Sequence, residues 1–210
     1  MSSYRVGFIG GGNMARALAG GLTSSGYPPA NLLIADPNSE QRAILRHDLP
    51  GVKVTADNDE VARAADCLVL AVKPQMMREV CRGLAAAVQQ KRPLVISVAA
   101  GTHSRDIDDW LGAELAVVRV MPNQPAMLLE GASGMFANEL TSSEQRDRAT
   151  EIISAVGSVV HVHDEDSIDA VTAISGTGPA YFYFLIAMLM HAAEEFGLDA
   201  QAAHKLVMDP

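Results

Sequence analysis

Short apolar runs bounded by turn residues recur along the first part of the chain, at 6–9, 32–35, 68–72, 94–98 and 116–120. Runs this short and this predominantly apolar are the pattern of strands buried on both faces. Between them lie helix-like stretches over 14–24, 40–49, 61–65, 75–89 and 104–111. Such alternation predicts an α/β fold with a doubly wound, mainly parallel sheet and right-handed crossovers. Two further apolar segments, 134–137 and 159–162, flank a helical run at 142–156. That run opens on Ser142-Ser143-Glu144-Gln145, a hydroxyl followed by an acid and an amide, which is a helix-start signal.

After Asp164 the pattern changes, because 166–174, 179–196 and 199–208 all read as helix. This predicts a boundary near 163, with a dinucleotide-binding domain over 1–163 and an all-helical segment over 164–210. The stretch 179–196 carries Tyr181, Phe182, Tyr183, Phe184, Leu185, Ile186, Met188, Leu189 and Met190. A helix apolar on most faces must be covered, and two or three helices cannot cover it alone. A second copy of the chain is the simplest cover, so a homodimer or higher homo-oligomer is expected. The most apolar stretch, 180–193, falls short of the roughly 18 residues that span a bilayer, so no membrane association is expected.

With 49% hydrophobic residues in 210, the chain can build a sizeable core. The formal charge of −9 argues against nucleic acid or anionic lipid as partners. Cys67 and Cys81 lack the spacing of a metal knuckle or redox pair, so both read as reduced structural residues of a cytoplasmic protein. His161, His163 and Asp164 read as a solvated strand end, with no metal expected. The methionines at 76, 77, 188 and 190 read as core filling.

The chemistry concentrates where strands end. The first strand runs into Gly10-Gly11-Gly12-Asn13-Met14-Ala15, a G-x-G-x-x-A turn that opens a helix. Gly10 allows the tight turn, Gly12 the approach of a pyrophosphate, and Ala15 close packing of helix on strand. The helix start then offers free N–H groups and a positive dipole end to phosphates. The second strand ends in Asp36, where an acid meets the adenosine ribose hydroxyls and repels a 2′-phosphate. Arg42 could fold back to such a phosphate, so NADH and NADPH both stay open. The same Asp36 also reads as a helix cap ahead of Pro37.

In Ala71-Val72-Lys73-Pro74, the proline holds Lys73 extended at the carboxyl edge of the sheet, facing nicotinamide, substrate anion or solvent. Ser97-Val98-Ala99-Ala100-Gly101 leaves room for a flat ligand above the strand tips, and Val120-Met121-Pro122-Asn123 puts an amide on the same rim. At the junction to the tail, Ser175-Gly176-Thr177-Gly178-Pro179 predicts a turn with clustered N–H groups, either an anion nest or a plain helix-helix turn.

Together with Tyr181, these segments resemble the pyrroline-5-carboxylate reductase family. The resemblance runs through Val6 to Ala15, 71–75, 97–101, 120–123 and 175–181, over essentially the whole chain. It implies a Rossmann-like domain followed by a helical dimerisation and substrate segment. The implied reaction is NADPH- or NADH-dependent reduction of 1-pyrroline-5-carboxylate to L-proline. It also places Asn58 on the adenosine side of the cofactor, with Gly10, Gly11, Gly12, Asn13, Met14, Asp36, Ala71, Val72, Lys73, Pro74, Ala99, Ala100 and Gly101 as cofactor contacts. Lys73, Asn123, Ser175 and Thr177 are the implied catalytic set. The chain departs from the family in having Gln124 where threonine is usual and Thr177 where serine is usual. It also ends at Pro210, before the family's Thr-Ser-Pro-Gly-Gly-Thr-like loop, so a shortened protein is expected that binds cofactor. Other readings in view are a reductase of another imine or carbonyl, and a nucleotide-binding protein without turnover.

Overall fold

A computed structural model describes residues 4–209. Its eight-stranded sheet has the order β3-β2-β1-β4-β5-β6-β7-β8. The strands are β1 Val6–Ile9, β2 Leu32–Ala35, β3 Lys53–Thr55, β4 Cys67–Leu70, β5 Leu94–Ser97, β6 Val117–Met121, β7 Gly131–Ala137 and β8 Gly157–His161. All neighbours from β3 to β6 pair in parallel, β7 runs antiparallel to β6, and β8 is parallel to β7. The strand order reverses between β1 and β4. At that switch point the two flanking crossovers leave on opposite faces and open a crevice above the carboxyl ends of the strands.

Helices cover both faces. Successive side chains along a strand point to opposite sides, so Val6 and Phe8 enter one core and Ile9 the other. The first core gathers residues of α1 (Asn13–Ser24), α2 (Ser39–Asp48) and α6 (Ser143–Ser154), the second those of α3 (Asn58–Ala64), α4 (Pro74–Lys91) and α5 (Ser104–Leu111). The expected α6 start is present as a reciprocal capping box, with Ser142 Oγ accepting from Gln145 N and Gln145 Oε1 from Ser142 N. Strand β3 was not legible in the pattern. It is a three-residue edge strand, exposed or half-buried throughout, so no apolar run marks it.

The tail holds the largest correction. The expected turn at 175–178 is absent: α7 (Ser167–Val171) passes through a π-helical segment, Thr172–Gly176, into α8 (Gly178–Glu195), followed by α9 (Ala200–Met208). The wide turn is closed by Thr177 N donating to Thr172 O at 2.9 Å. Ser167–Glu195 thus forms one helical run of 29 residues, long and apolar enough to cross a membrane by length and composition alone. The shorter span read from sequence missed this because Gly176 and Gly178 look like a break. No residue of α8 is buried, and Phe182, Phe184 and Tyr181 are 68%, 67% and 65% exposed. Met77 does fill the core, but Met76 and Met188 are each 45% exposed, which corrects their reading as core residues.

Candidate cofactor and substrate site

The glycine turn has the conformation its sequence demands. Gly10 sits at φ +91°, and a Cβ there would lie 2.8 Å from Ala71 O, so both backbone and space require glycine. Gly11 is braced from behind: its N–H donates to Asp36 Oδ2 at 2.9 Å and its carbonyl accepts from Gln41 Nε2 at 2.5 Å. Gly12 is different, since a Cβ there would meet nothing within 4 Å. It is the N-cap of α1 with no side-chain cap, so the orphan N–H groups of the first turn face open space. A phosphate fits such a place by charge and by room.

Gly10, Gly12, Asp36, Asn58, Ala71, Val72 and Lys73 line one cleft of about 300 Å³. Its remaining walls are Ile9, Pro37, Met76 and Val80. Met76 and Val80, one helical turn apart on α4, were missed as site residues. The available signal was an apolar pair at i, i+4 beside the strand tips. A second hollow, about 650 Å³, shares Asn58, Met76 and Val80 with the first and extends it along α4 to Leu84.

Asp36 does not cap α2; Asn38 does, accepting from Glu40 N and Gln41 N. Asp36 Oδ1 instead accepts from Asn38 N at 2.8 Å, so its carboxylate ties the glycine turn to the β2–α2 loop. Arg42 folds back as its position allowed, but onto backbone: Nη1 donates to Asp36 O at 2.9 Å and to Pro37 O at 2.8 Å. Lys73 is the exposed N-cap of α4, extended ahead of Pro74, and its ammonium has no partner among the described residues. Asn13 and Met14 open α1, where Met14 packs onto the core. Ala99, Ala100 and Gly101 lie in the β5–α5 loop, on the same sheet edge but outside the walls of the cleft.

The remaining site residues gather at the end of β6. Asn123 is buried; its Nδ2 donates to Ser175 O at 3.1 Å and its Oδ1 accepts from Ala132 N at 2.9 Å. The amide is therefore a strut between β6, β7 and the π-helical segment. Met121 lies against Gly176, where an added Cβ would come within 2.8 Å of its Cε. Ser175 Oγ donates to Val171 O at 3.2 Å, and Thr177 Oγ1 to Ala173 O at 2.8 Å. Because 172–178 is helical, the expected anion nest of outward N–H groups is not formed.

Both thiols are free and buried, and burial pushes Cys67 and Cys81 each up to about 12. Among the described residues, no group of three His, Cys, Asp or Glu side chains could hold a metal ion.

Comparison with known proteins gives this geometry a family. Residues 5–101 match the family described as NADP oxidoreductase, coenzyme F420-dependent, and residues 165–209 match pyrroline-5-carboxylate reductase dimerisation. A pyrroline-5-carboxylate reductase of Pseudomonas aeruginosa is 44% identical, over 99% of this chain and 76% of its own length. That of Vibrio alginolyticus is 41% identical, over 99% and 75%. Among solved structures, a pyrroline-5-carboxylate reductase from Coxiella burnetii superposes with a TM-score of 0.92 at 38% identity, covering 99% of this chain and 77% of the other. The Plasmodium falciparum pyrroline carboxylate reductase with NADP bound gives 0.86 at 30%, covering 100% and 76%. A glycine cradle open at Gly12, a dimerisation segment from residue 165 and relatives this similar along nearly the whole chain make it a member of the pyrroline-5-carboxylate reductase family.

Proposed function

We infer that the protein is a pyrroline-5-carboxylate reductase, reducing 1-pyrroline-5-carboxylate to L-proline with NADH or NADPH as the last step of proline biosynthesis. The observation that carries this is the uncapped start of α1 at Gly12, open to a cleft that also holds Asp36, Asn58 and Lys73. The first-turn N–H groups would hold the pyrophosphate, Asp36 and Asn58 the adenosine ribose, and Ala71 to Pro74 with Ala99 to Gly101 the nicotinamide end. The bound cofactor supplies hydride to the imine carbon. The protein's share is positioning and electrostatics, with the ring nitrogen protonated because an iminium accepts hydride far more readily than a neutral imine.

In this reading Lys73, with no ion pair among the described residues, draws the substrate anion to the rim. Asn123 acts by holding the Ser175 carbonyl, and so the π-helical segment, against the end of β6. Ser175 presents a hydroxyl from that segment and Thr177 one from the residue that follows it. We place the domain boundary near 163, between 1–163 and 164–210. The exposed apolar residues of α8 support a homodimer or higher homo-oligomer in which a second copy covers them. The buried free thiols support a reducing, cytoplasmic setting.

The test is loss of reduced-nicotinamide absorbance when pyrroline-5-carboxylate is added with NADH or NADPH, run beside open-chain ketoacids. Oxidation with the cyclic imine alone is expected. Oxidation with the ketoacids and none with the imine would replace this reading by that of a carbonyl reductase.

A further inference from the structure

The β5–α5 loop, 98–103, is held at both ends, and one of the two holds belongs to the helical tail. At its start, Val98 N donates to Leu70 O at 3.2 Å and Ala99 N to Ser97 Oγ at 3.3 Å. At its end, α5 begins without a side-chain cap of its own, because the N-cap His103 makes no such bond. The missing acceptor comes from far along the chain. Glu165 Oε1 accepts from Ser104 N and Glu165 Oε2 from Ser104 Oγ, both at 2.6 Å. An acid at the first turn of a helix also meets the positive end of the helix dipole.

Glu165 is in turn locked by a buried guanidinium. Arg119, on β6 beside Ser97 of β5, is 1% exposed, and its Nη1 donates to Glu165 Oε1 at 3.3 Å. Its Nη2 lies 3.5 Å from Asp169, a side chain 73% exposed, and its buried Nε has no partner among the described residues. A buried charge stripped of its counter-ion is strongly destabilising, so Glu165 cannot swing away without leaving Arg119 only the exposed Asp169 carboxylate. The joint is therefore stiff. Between the two holds, Ala100 and Gly101 stay exposed, with Gly101 at φ +68°.

We propose that Glu165 is a positioning residue that anchors the 98–103 loop, through Ser104 and against Arg119, so that the loop immobilises the nicotinamide end of the cofactor. Residue 165 is also the first residue of the segment matching the dimerisation family, so this anchor ties the oligomerising helices to the reactive rim. The proposal rests on the reductase reading for the identity of the ligand; its readout does not need turnover.

The adenosine end is read by calorimetry with ADP-ribose, which lacks the nicotinamide. The nicotinamide end is read by the fluorescence anisotropy of saturating NADH or NADPH, and by energy transfer from Trp110 of α5, the single tryptophan. In Glu165→Gln and Glu165→Ala, ADP-ribose affinity is expected to stay unchanged while nicotinamide anisotropy drops toward the value of free nucleotide. Asp169→Asn, which removes a charge near Arg119 but not the Ser104 contacts, should leave both signals alone. Unchanged anisotropy in the two Glu165 variants would overturn the proposal. So would a parallel fall of ADP-ribose affinity, anisotropy and Tm, which marks a general folding defect; Glu165→Gln, close to isosteric, guards against reading too much into an unfolded Glu165→Ala. A wild-type protein that shows the binding signals yet oxidises no cofactor with the imine would fail the reductase reading while leaving the loop anchor standing.

Discussion

The sheet buries its apolar residues within the chain, whereas the helical tail leaves its own exposed. In the sheet, Phe8, Ile34, Leu70 and Val95 are essentially inaccessible, enclosed by helices of the same chain on both faces. In α8, Phe182, Phe184 and Leu185 are 68%, 67% and 55% exposed, although the residue types are the same. Composition therefore does not say where a core is. A strand between two helical layers finds its cover within the chain, whereas a helix apolar all round, standing at the edge of the domain, has none to find.

The largest expected effect tests this contrast with one chemistry in two places. Phe8→Ala should cost about 3–5 kcal/mol through lost burial and the cavity left behind. Phe182→Ala should change the stability of the dilute single chain by under about 0.5 kcal/mol. Chemical denaturation at low protein concentration measures both, and equal losses would mean that α8 is packed within one chain. Association should respond in reverse: Phe184→Glu is expected to shift the protein to monomers in light scattering, while leaving the far-ultraviolet circular dichroism of the sheet domain intact.

The ligand end of the sheet separates fold from binding in the same way. Gly10→Ala meets both a positive φ and Ala71 O, and should destabilise the fold by about 1–3 kcal/mol. At Gly12 an added Cβ meets no protein atom within 4 Å, so the Tm of Gly12→Ala should stay near wild type while NADH and NADPH affinity falls. A matching loss of Tm at Gly12 would break the distinction between a glycine kept for the chain and one kept for a phosphate.

The smallest effect is electrostatic. Burial raises the Asp66 carboxyl, but Lys91 Nζ at 2.6 Å and the Arg5 N–H at 2.8 Å outweigh it and hold it below the usual carboxylate range. A depressed folded pKa contributes stability above the unfolded value near pH 3.9, and that contribution is lost as pH falls through the folded value. With both side chains of the pair about a third exposed, Asp66→Asn should cost under about 1 kcal/mol at neutral pH. The difference should vanish in acid; denaturation curves across that range would show it, and a difference that persisted there would assign the loss to packing instead.

The amino-acid order alone was enough for what depends on neighbours along the chain. Period and turn residues marked the strands other than β3, though only the second half of β7, together with the helix start at Ser142 and the turn from Gly10 to Ala15 at the head of α1. Ala71 to Lys73, Ala99 to Gly101 and Asn123 could be placed on one rim, because parallel strands end on one edge. Tertiary structure decided what depends on distant partners. The edge strand β3 exists only through its pairing with β2, and the wide helical turn at 172–176 accompanies contacts to Asn123 and Met121 that override two glycines. Asp36 became a brace of the glycine turn, and Arg42 was taken up by two carbonyls. Glu165 found Ser104 from 61 residues away. Local periodicity fixes which face of an element is apolar; the packing of elements decides which polar atom meets which, and in this protein that is where the site is made.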